Sequence, residues 1–520
     1  MKKRIVPALL AAALLGLLPV SAAFADTAGL PQEADIAYLQ ESGLVQGMDG
    51  ENFAPEALLT RAQAVTLLGR QARTSGRAGG SYADVPEDAY YRDYLSWACE
   101  KGLLDVEEGG AFRPDAAITH EELSALLDRY LAYLGRTDVQ IAPMGSGALN
   151  RAEGAAYFAA LERSLSARET SLLTLTASDG VELTGKLDLP AGEEAVEKIV
   201  FYINGSGPNT YDNHRQSGSL VFDYYDLFAQ QFAARGVGFF RWSTRGVTPG
   251  ETPPYFADVD EETYRTYLPA TSVSDIGEWI GKLRKNERLQ DAEIYLLGWS
   301  EGTIIAPLAA KAFPGEIDGL LLCGYCNDRM DEIFDWQQTG HSSMIFYQTY
   351  FDTDGDGRIS PEEFAADPYG LAASVLGNTP FDQIDLNGDG VLTAEDFAIM
   401  LAPTRQAFYD AVERGDDAWL AENYSVRLTS GWFKAHQALA PNRETMLTLE
   451  LPITIFHGTM DANCDVAGVY AIEESFAQHG KDNLTVHVYP GYDHDLLYSV
   501  YAATGAMPEA FEDLFQAVVD

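Results

Sequence analysis

The stretch AEIYLLGWSEGTIIAP, Ala292 to Pro307, decides how the rest of the chain is read. Ile294 to Leu297 is a short apolar run of strand type, and Gly298-Trp299-Ser300-Glu301-Gly302 follows it directly. The residues after Gly302 are small or aliphatic and suit a helix. A strand that enters a helix through G-x-S-x-G holds the serine on a sharp, strained turn, because the two glycines let backbone and neighbouring strands crowd close. Ser300 is therefore the candidate nucleophile. The backbone N–H of Glu301, next in the chain, is the first candidate donor to an oxyanion.

Working outward, apolar strands alternate with amphipathic helices. Upstream lie an alternating hairpin from Ser171 to Pro190, a strand at Lys198 to Asn204, a helix at Tyr224 to Arg235, a strand at Val237 to Trp242 and a helix at Thr271 to Lys285. Downstream come a strand at Ile317 to Cys323 and a long polar excursion over 327–450. The alternation then resumes with a strand at Ile453 to Phe456, a helix near Val469 to Gln478, a strand at Leu484 to Tyr489 and a closing helix from Pro508. This order predicts an α/β fold, a doubly wound and mostly parallel sheet covered on both faces, in two parts, 171–326 and 451–520.

Acyl transfer needs a base to take the proton of the serine, an acid to orient that base, and donors for the oxyanion. After the strand Ile453 to Phe456 the chain offers Asp461, with Asp465 in reserve. After the strand Leu484 to Tyr489 it offers His494, in Pro490-Gly491-Tyr492-Asp493-His494-Asp495. Of the eight histidines, His494 alone combines a glycine-containing loop, a preceding strand and the order Ser, Asp, His. A second oxyanion donor is expected from Gly205-Ser206-Gly207, after the Lys198 to Asn204 strand, and the Ser206 amide is the choice.

Three motifs carry a family likeness: Asn204-Gly205-Ser206-Gly207-Pro208, Arg241-Trp242-Ser243-Thr244-Arg245-Gly246, and Gly298 to Gly302 followed by Ile304-Ile305-Ala306-Pro307. In these the chain resembles secreted bacterial α/β-hydrolase esterases, which overlap with prolyl-oligopeptidase-like and dienelactone-hydrolase-like enzymes. The resemblance implies a serine hydrolase of carboxylesterase type. Ser300 is then the nucleophile, His494 the base and Asp461 the acid, with the Ser206 and Glu301 amides as oxyanion hole and no cofactor for catalysis. The substrate so implied is a small-molecule ester. A peptidase or amide hydrolase is the alternative, and a wall-bound or calcium-dependent binding protein on an inactive scaffold is the reading from a different class.

Within 327–450 lies a second signal. Asp352, Asp354, Asp356 and Glu363 occupy positions 1, 3, 5 and 12 of a loop with Gly357 at the sharp turn, and the Arg358 carbonyl stands at position 7. Asp385, Asn387, Asp389, the Val391 carbonyl and Asp396 repeat it. Hard oxygen ligands at this spacing wrap Ca²⁺ in an EF-hand, and the second loop resembles dockerin loops in ending on Asp. Because this segment leaves after the Ser300 strand and returns before Asp461, it is expected to form a lid ordered by structural calcium.

The first quarter of the chain repeats itself with a period of about fifty residues. Gly43-Leu44, Phe53-x-Pro55 and Leu59-Thr60-Arg61 return as Gly102-Leu103, Phe112-x-Pro114 and Ile118-Thr119-His120, with Tyr82-x-Asp84-Val85 and Trp97-Ala98 in the second copy. At these positions 26–136 resembles S-layer homology repeats, which implies a cell-wall polysaccharide as partner. Residues 137–170 read as a linker and a helix. Before the repeats, Lys2, Lys3 and Arg4, the apolar run Ile5 to Val20 and Ala23-Phe24-Ala25 read as a signal peptide cleaved after Ala25, and hence a secreted protein. A formal net charge of −43 repels nucleic acid and anionic membranes. Four cysteines are too few for a disulfide framework, although Cys326 and Cys464 are expected at the ends of neighbouring strands.

Overall fold

The computed structural model describes residues 23–49, 51–77, 79–106, 109–371 and 377–519. The basic and apolar start of the leader, residues 1–22, lies outside the described residues.

The amino-terminal unit is built from helices α1 (Glu33–Glu41), α2 (Arg61–Gln71), α3 (Arg92–Glu100), α4 (His120–Tyr133) and α5 (Arg151–Ser166) around one apolar core. Helices α2, α4 and α5 start alike. Thr60 with Gln63, Thr119 with Glu122 and Asn150 with Glu153 each form a capping box, in which cap side chain and third-residue side chain satisfy each other's free amides. Bridges Leu58↔Asn150, Thr60↔Ala117 and Thr119↔Ala148 join the three cap segments. The helix expected after the linker is thus built as the second half of a third repeat, with Leu149-Asn150-Arg151 standing where Leu59-Thr60-Arg61 stands in the first.

The repeat symmetry reaches the side chains. Asp26 accepts the amide N–H groups of Phe53 and Ala54, both at 2.8 Å, and Asp84 accepts those of Phe112 and Arg113, both at 2.7 Å. Phe24 is buried against Phe53, their ring centroids 5.5 Å apart.

The second unit contains an eight-stranded sheet: β1 (Arg168–Thr176), β2 (Glu182–Pro190), β3 (Lys198–Ile203), β4 (Gly238–Trp242), β5 (Glu293–Trp299), β6 (Gly319–Cys323), β7 (Ile453–Gly458) and β8 (Leu484–Tyr489). Across the sheet the order is β1-β2-β4-β3-β5-β6-β7-β8, antiparallel for β1, β2 and β4 and parallel from β4 onward. Successive side chains alternate between two cores. Ile199, Phe201 and Ile203 face one, which holds Trp279 and Ile305, and Val200 and Tyr202 face the other, which holds Phe228 and Phe511. The repeat unit rests on the last helix, where the buried Glu512 accepts hydrogen bonds from Trp97 Nε1 at 2.7 Å and Tyr133 Oη at 3.0 Å.

Between β6 and β7 the insertion forms helices α6 (Met330–Gln338), α7 (His341–Tyr350), α8 (Pro361–Ala366), α9 (Ala394–Arg414) and α10 (Ser430–Gln437). One apolar cluster, with Phe334, Phe408 and Trp432, packs it against Ile304 of the helix that follows Ser300. A second cluster, with Phe351, Ile359, Leu392 and Phe397, joins the two EF-hand segments to each other.

Candidate active site

Ser300 stands between β5 and the helix Gly302–Ala312 with φ of 55°, a left-handed conformation that costs a non-glycine residue about 1–2 kcal/mol. The flanking glycines are required by contact. A Cβ on Gly298 would lie 2.3 Å from the Gly302 carbonyl oxygen, and one on Gly302 would lie 2.2 Å from that of Ile203. The Ser300 amide is tied to the Cys323 carbonyl of β6 at 2.9 Å, which fixes the turn at the carboxyl end of the sheet.

Asp461 and His494 follow β7 and β8 and meet there. His494 Nδ1 lies 2.7 Å from Asp461 Oδ2. Asp461 is fully buried, and its Oδ1 accepts the amide N–H groups of Asn463 and Cys464, both at 2.8 Å. Burial works against the charge on Asp461, but the His494 charge and hydrogen bond hold its carboxyl below the usual range. Burial also works against charge on His494, and Asp461 outweighs it, pushing the imidazole up to about 9. Asp465, the reserve acid, instead caps the helix Val466–Gln478 through its bond to the Ala467 amide at 2.9 Å.

Ser300 and His494 line one cavity of about 610 Å³, together with Gly205, Ser206, Trp299, Asp493 and Asp495. Among the described residues no hydrogen bond joins Ser300 Oγ to the His494 ring, a contact that often tightens only when substrate binds. The backbone N–H groups of Ser206 and Glu301 donate to no acceptor among the described residues. Asn204 braces the Ser206 loop: its Nδ2 donates to the Trp242 carbonyl at 2.9 Å and its Oδ1 accepts from Tyr225 at 2.6 Å.

Several functional contacts escaped the reading from sequence. The Glu301 side chain is wholly buried and accepts from Tyr267 Oη at 2.5 Å, Trp432 Nε1 at 3.0 Å and His436 Nε2 at 2.8 Å. Trp432 and His436 are four apart on α10, so one face of an insertion helix grips the residue beside the nucleophile. That spacing was the available signal. His457, at the end of β7, is buried against Asp461. Its Nδ1 accepts from the Tyr325 amide at 3.0 Å, so the proton is on Nε2, 3.1 Å from the Cys464 carbonyl. Burial pushes His457 down, keeping it neutral beside Asp461. Cys326 and Cys464 are free thiols with sulfurs 3.4 Å apart.

The insertion forms part of the same cavity through Met330, Ile333, Phe334, Gln337, Tyr424 and Leu428. It also holds the acid loop, with Ser342 Oγ donating to the Ala462 carbonyl at 2.5 Å and Gln337 Nε2 to that of Asn463 at 2.7 Å. In the EF-hand pair, the amides of Ile359 and Leu392 bond to each other's carbonyls at 3.1 and 2.9 Å. Carboxylate oxygens of Asp352, Asp354 and Asp356 lie within 4.8 Å of one another, a donor set that fits a hard divalent cation. Glu363 is held at about 2 by the amides of Ser360 and Thr353 and is therefore ionised. The second loop folds alike, Asp385 accepting the amides of Gly388 and Gly390, and Asp396 those of Leu386, Asn387 and Thr393.

The strand order, the Ser-Asp-His order and the left-handed serine decide the fold of the second unit. It is an α/β-hydrolase fold. Residues 23–65 and 81–124 match the S-layer homology domain, and residues 349–366 and 380–401 match the EF hand. The chain is 28% identical over 116 residues to the surface-layer 125 kDa protein of Lysinibacillus sphaericus, covering 21% of this chain and 10% of that protein. The chain thus spans about a tenth of that relative's length. Among solved structures it is similar to an open-form lipase, at 18% identity and TM-score 0.35 over 68% of this chain and 97% of the lipase. It is also similar to an acylaminoacyl peptidase of Pyrococcus horikoshii, at 12% identity and TM-score 0.37 over 70% of this chain and 42% of the peptidase. None of the described helices is long and apolar enough to cross a membrane.

The titration of His494 sets opposite trends for activity and stability. A base must be neutral, so kcat/KM on a neutral ester is expected to rise with pH towards about 9. Because the folded value is raised above 6.5, the stability it contributes is complete below pH 6.5 and is lost as pH rises through about 9. Asp461→Asn should move the rising limb to lower pH. A limb that stays put in the variant contradicts the assignment.

Proposed function

We propose that this chain is an exported serine hydrolase that cleaves carboxylic esters through an acyl-enzyme. The observation that carries the reading is His494, held by the buried Asp461 and lining the same cavity as a left-handed Ser300. His494 Nε2 takes the proton of Ser300 Oγ as the oxygen attacks the ester carbonyl, and Asp461 stabilises the resulting imidazolium through Nδ1–H. The free amides of Ser206 and Glu301 receive the oxyanion. Collapse breaks the ester C–O bond, His494 returns the proton to the departing alcohol, and water repeats the sequence to free the acid and Ser300. The test is a p-nitrophenyl ester series beside matched p-nitroanilides, with Ser300→Ala as control. Anilide turnover exceeding ester turnover would move the reading to an amide hydrolase acting with the same groups.

Calcium in this reading is structural. Asp352, Asp354, Asp356, the Arg358 carbonyl and Glu363 would hold one ion, and Asp385, Asn387, Asp389, the Val391 carbonyl and Asp396 a second. Each ion would neutralise clustered carboxylates and stiffen the pair that carries α7, hence the bond from Ser342 to the acid loop. Chelation with EGTA is therefore expected to lower the melting temperature by several degrees and to reduce kcat about 3- to 10-fold, with recovery on adding Ca²⁺. Unchanged melting and unchanged activity would remove calcium from the account.

The repeats are proposed to hold the enzyme at the cell surface by binding wall polysaccharide. In support, Arg151 and Arg70 line a groove with Gln63 and Tyr90, two of the 35 basic residues in a chain with 78 acidic ones. The full chain should sediment with purified cell walls, and Arg151→Ala should weaken retention. Equal retention by the variant would place binding elsewhere.

A further inference from the structure

Arg215 lines the active-site cavity with Ser300 and His494, and it is the lone lysine or arginine among the described residues that do so. Its surroundings build a site rather than an ion pair. Nε donates to Asn213 Oδ1 at 2.6 Å and one Nη to Asn209 Oδ1 at 3.0 Å. The guanidinium carbon lies 5.5 Å from the ring centroid of Tyr255 and 6.0 Å from that of Tyr224. Both asparagines are buried. The neighbouring cations Lys186 and Arg241 are paired with Asp212 and Asp188, yet no carboxylate among the described residues pairs with Arg215. In a chain with 78 acidic and 35 basic residues, a half-buried guanidinium without a carboxylate partner in the cavity that Ser300 lines calls for an explanation.

The two asparagines engage one edge of the guanidinium and leave its end-on fork of N–H groups unused among the described residues. Such a fork matches the two oxygens of one carboxylate. Asn209 also ties this arginine to the oxyanion loop, because its Nδ2 donates to the carbonyls of Gly205 at 2.9 Å and Gly207 at 3.2 Å. The carboxylates that line the cavity, Asp493 and Asp495, flank His494 in sequence, and Asp493 is engaged by the Leu497 amide at 2.8 Å. They disfavour an anion beside His494, and Arg215 is the lining cation that would favour one.

We propose that Arg215 is an anion-binding subsite, and that the preferred substrates are esters whose acyl part carries a free carboxylate, such as monoesters of short dicarboxylic acids. This inference rests on the serine esterase reading above. Asn209 and Asn213 are positioning residues that hold the guanidinium, and the link through Asn209 places the bound carboxylate in register with the oxyanion loop.

The experiment compares p-nitrophenyl hemisuccinate with p-nitrophenyl butyrate on the full chain and on Arg215→Gln. A charge-assisted pair predicts that the variant loses about 10- to 100-fold in kcat/KM on the hemisuccinate relative to the butyrate. Arg215→Lys should recover part of that ratio, and added salt should shrink the wild-type preference. If the variant slows both esters equally, Arg215 only braces the oxyanion loop and the proposal fails. Calorimetric titration of monoethyl succinate into Ser300→Ala and into Ser300→Ala with Arg215→Gln reads the subsite without turnover. Affinity lost with the arginine supports the subsite even if the intact chain cleaves no ester, which would sink the esterase reading instead. Equal affinity in the two proteins overturns the subsite.

Discussion

Ser300→Ala is expected to lower kcat on a neutral p-nitrophenyl ester by about 10,000-fold or more, while the protein melts within about 1 kcal/mol of the wild type. The size of the loss follows from the division of labour at the site. Without the hydroxyl there is no acyl-enzyme, and what remains is the polarisation of the carbonyl by the Ser206 and Glu301 amides and the base His494 acting on water. The small effect on stability follows from the geometry of the turn. Alanine meets the same left-handed cost at φ 55° as serine does. The amide of residue 300 also keeps its bond to the Cys323 carbonyl at 2.9 Å. Steady-state kinetics and a thermal melt on the same preparation check both halves. Activity surviving within about 10-fold would remove the nucleophile assignment and with it the proposed function.

Glu301→Ala should show a different pattern, a large loss of stability together with loss of activity. The Glu301 carboxylate is 0% exposed and is the shared acceptor of Tyr267, Trp432 and His436. Removing it leaves three buried donors without a partner, at a cost of about 1–3 kcal/mol each. In a unit of about 350 residues, at about 2.1 cal/mol/K per residue, a total loss of about 3–5 kcal/mol corresponds to a fall of about 4–7 °C in melting temperature. The loss should spread to the chemistry because the contact joins α10 of the insertion to the first residue after Ser300. Glu301→Gln keeps the shape and one acceptor, and is expected to fall between the two. Trp432→Phe and His436→Ala, read by the same melts, separate the two contacts from α10. A Glu301→Ala protein that melts within about 1 kcal/mol of wild type would show that the buried carboxylate does not hold the insertion to the elbow.

The contrast between the two variants also marks how far residues in sequence speak for themselves. Gly298 and Gly302 announce the elbow because backbone contacts of 2.3 and 2.2 Å admit no other residue there. Asp461 and His494 are legible for a related reason. A parallel sheet brings the carboxyl ends of its strands to one edge, so chain order and position after a strand suffice to select them from many acids and eight histidines. The EF-hand loops are local in the same sense. Their ligands come from a dozen consecutive residues and their spacing is set by the geometry of one cation.

Other features were written in the chain and passed over. Leu149-Asn150-Arg151 repeats Leu59-Thr60-Arg61, but asparagine stands for threonine and the first half of that repeat is absent, so the segment read as a linker and a separate helix. Its capping box, Asn150 with Glu153, serves the helix as the threonine boxes do, and the core it completes is shared with the other two repeats.

What the sequence by itself determined is the set of features whose placement is enforced by backbone geometry or by short-range spacing: the strand-turn-helix at Ser300, the positions of Asp461 and His494 after their strands, the two EF-hand loops and the first two repeats. What only the tertiary structure decided is which distant polar groups meet. Glu301 and His436 are 135 positions apart, and Arg215 reaches the oxyanion loop only through the buried Asn209. A buried carboxylate or guanidinium must find partners wherever the fold provides them. Those partners follow from how the insertion and the loops fold over the sheet, which no local pattern of residues encodes.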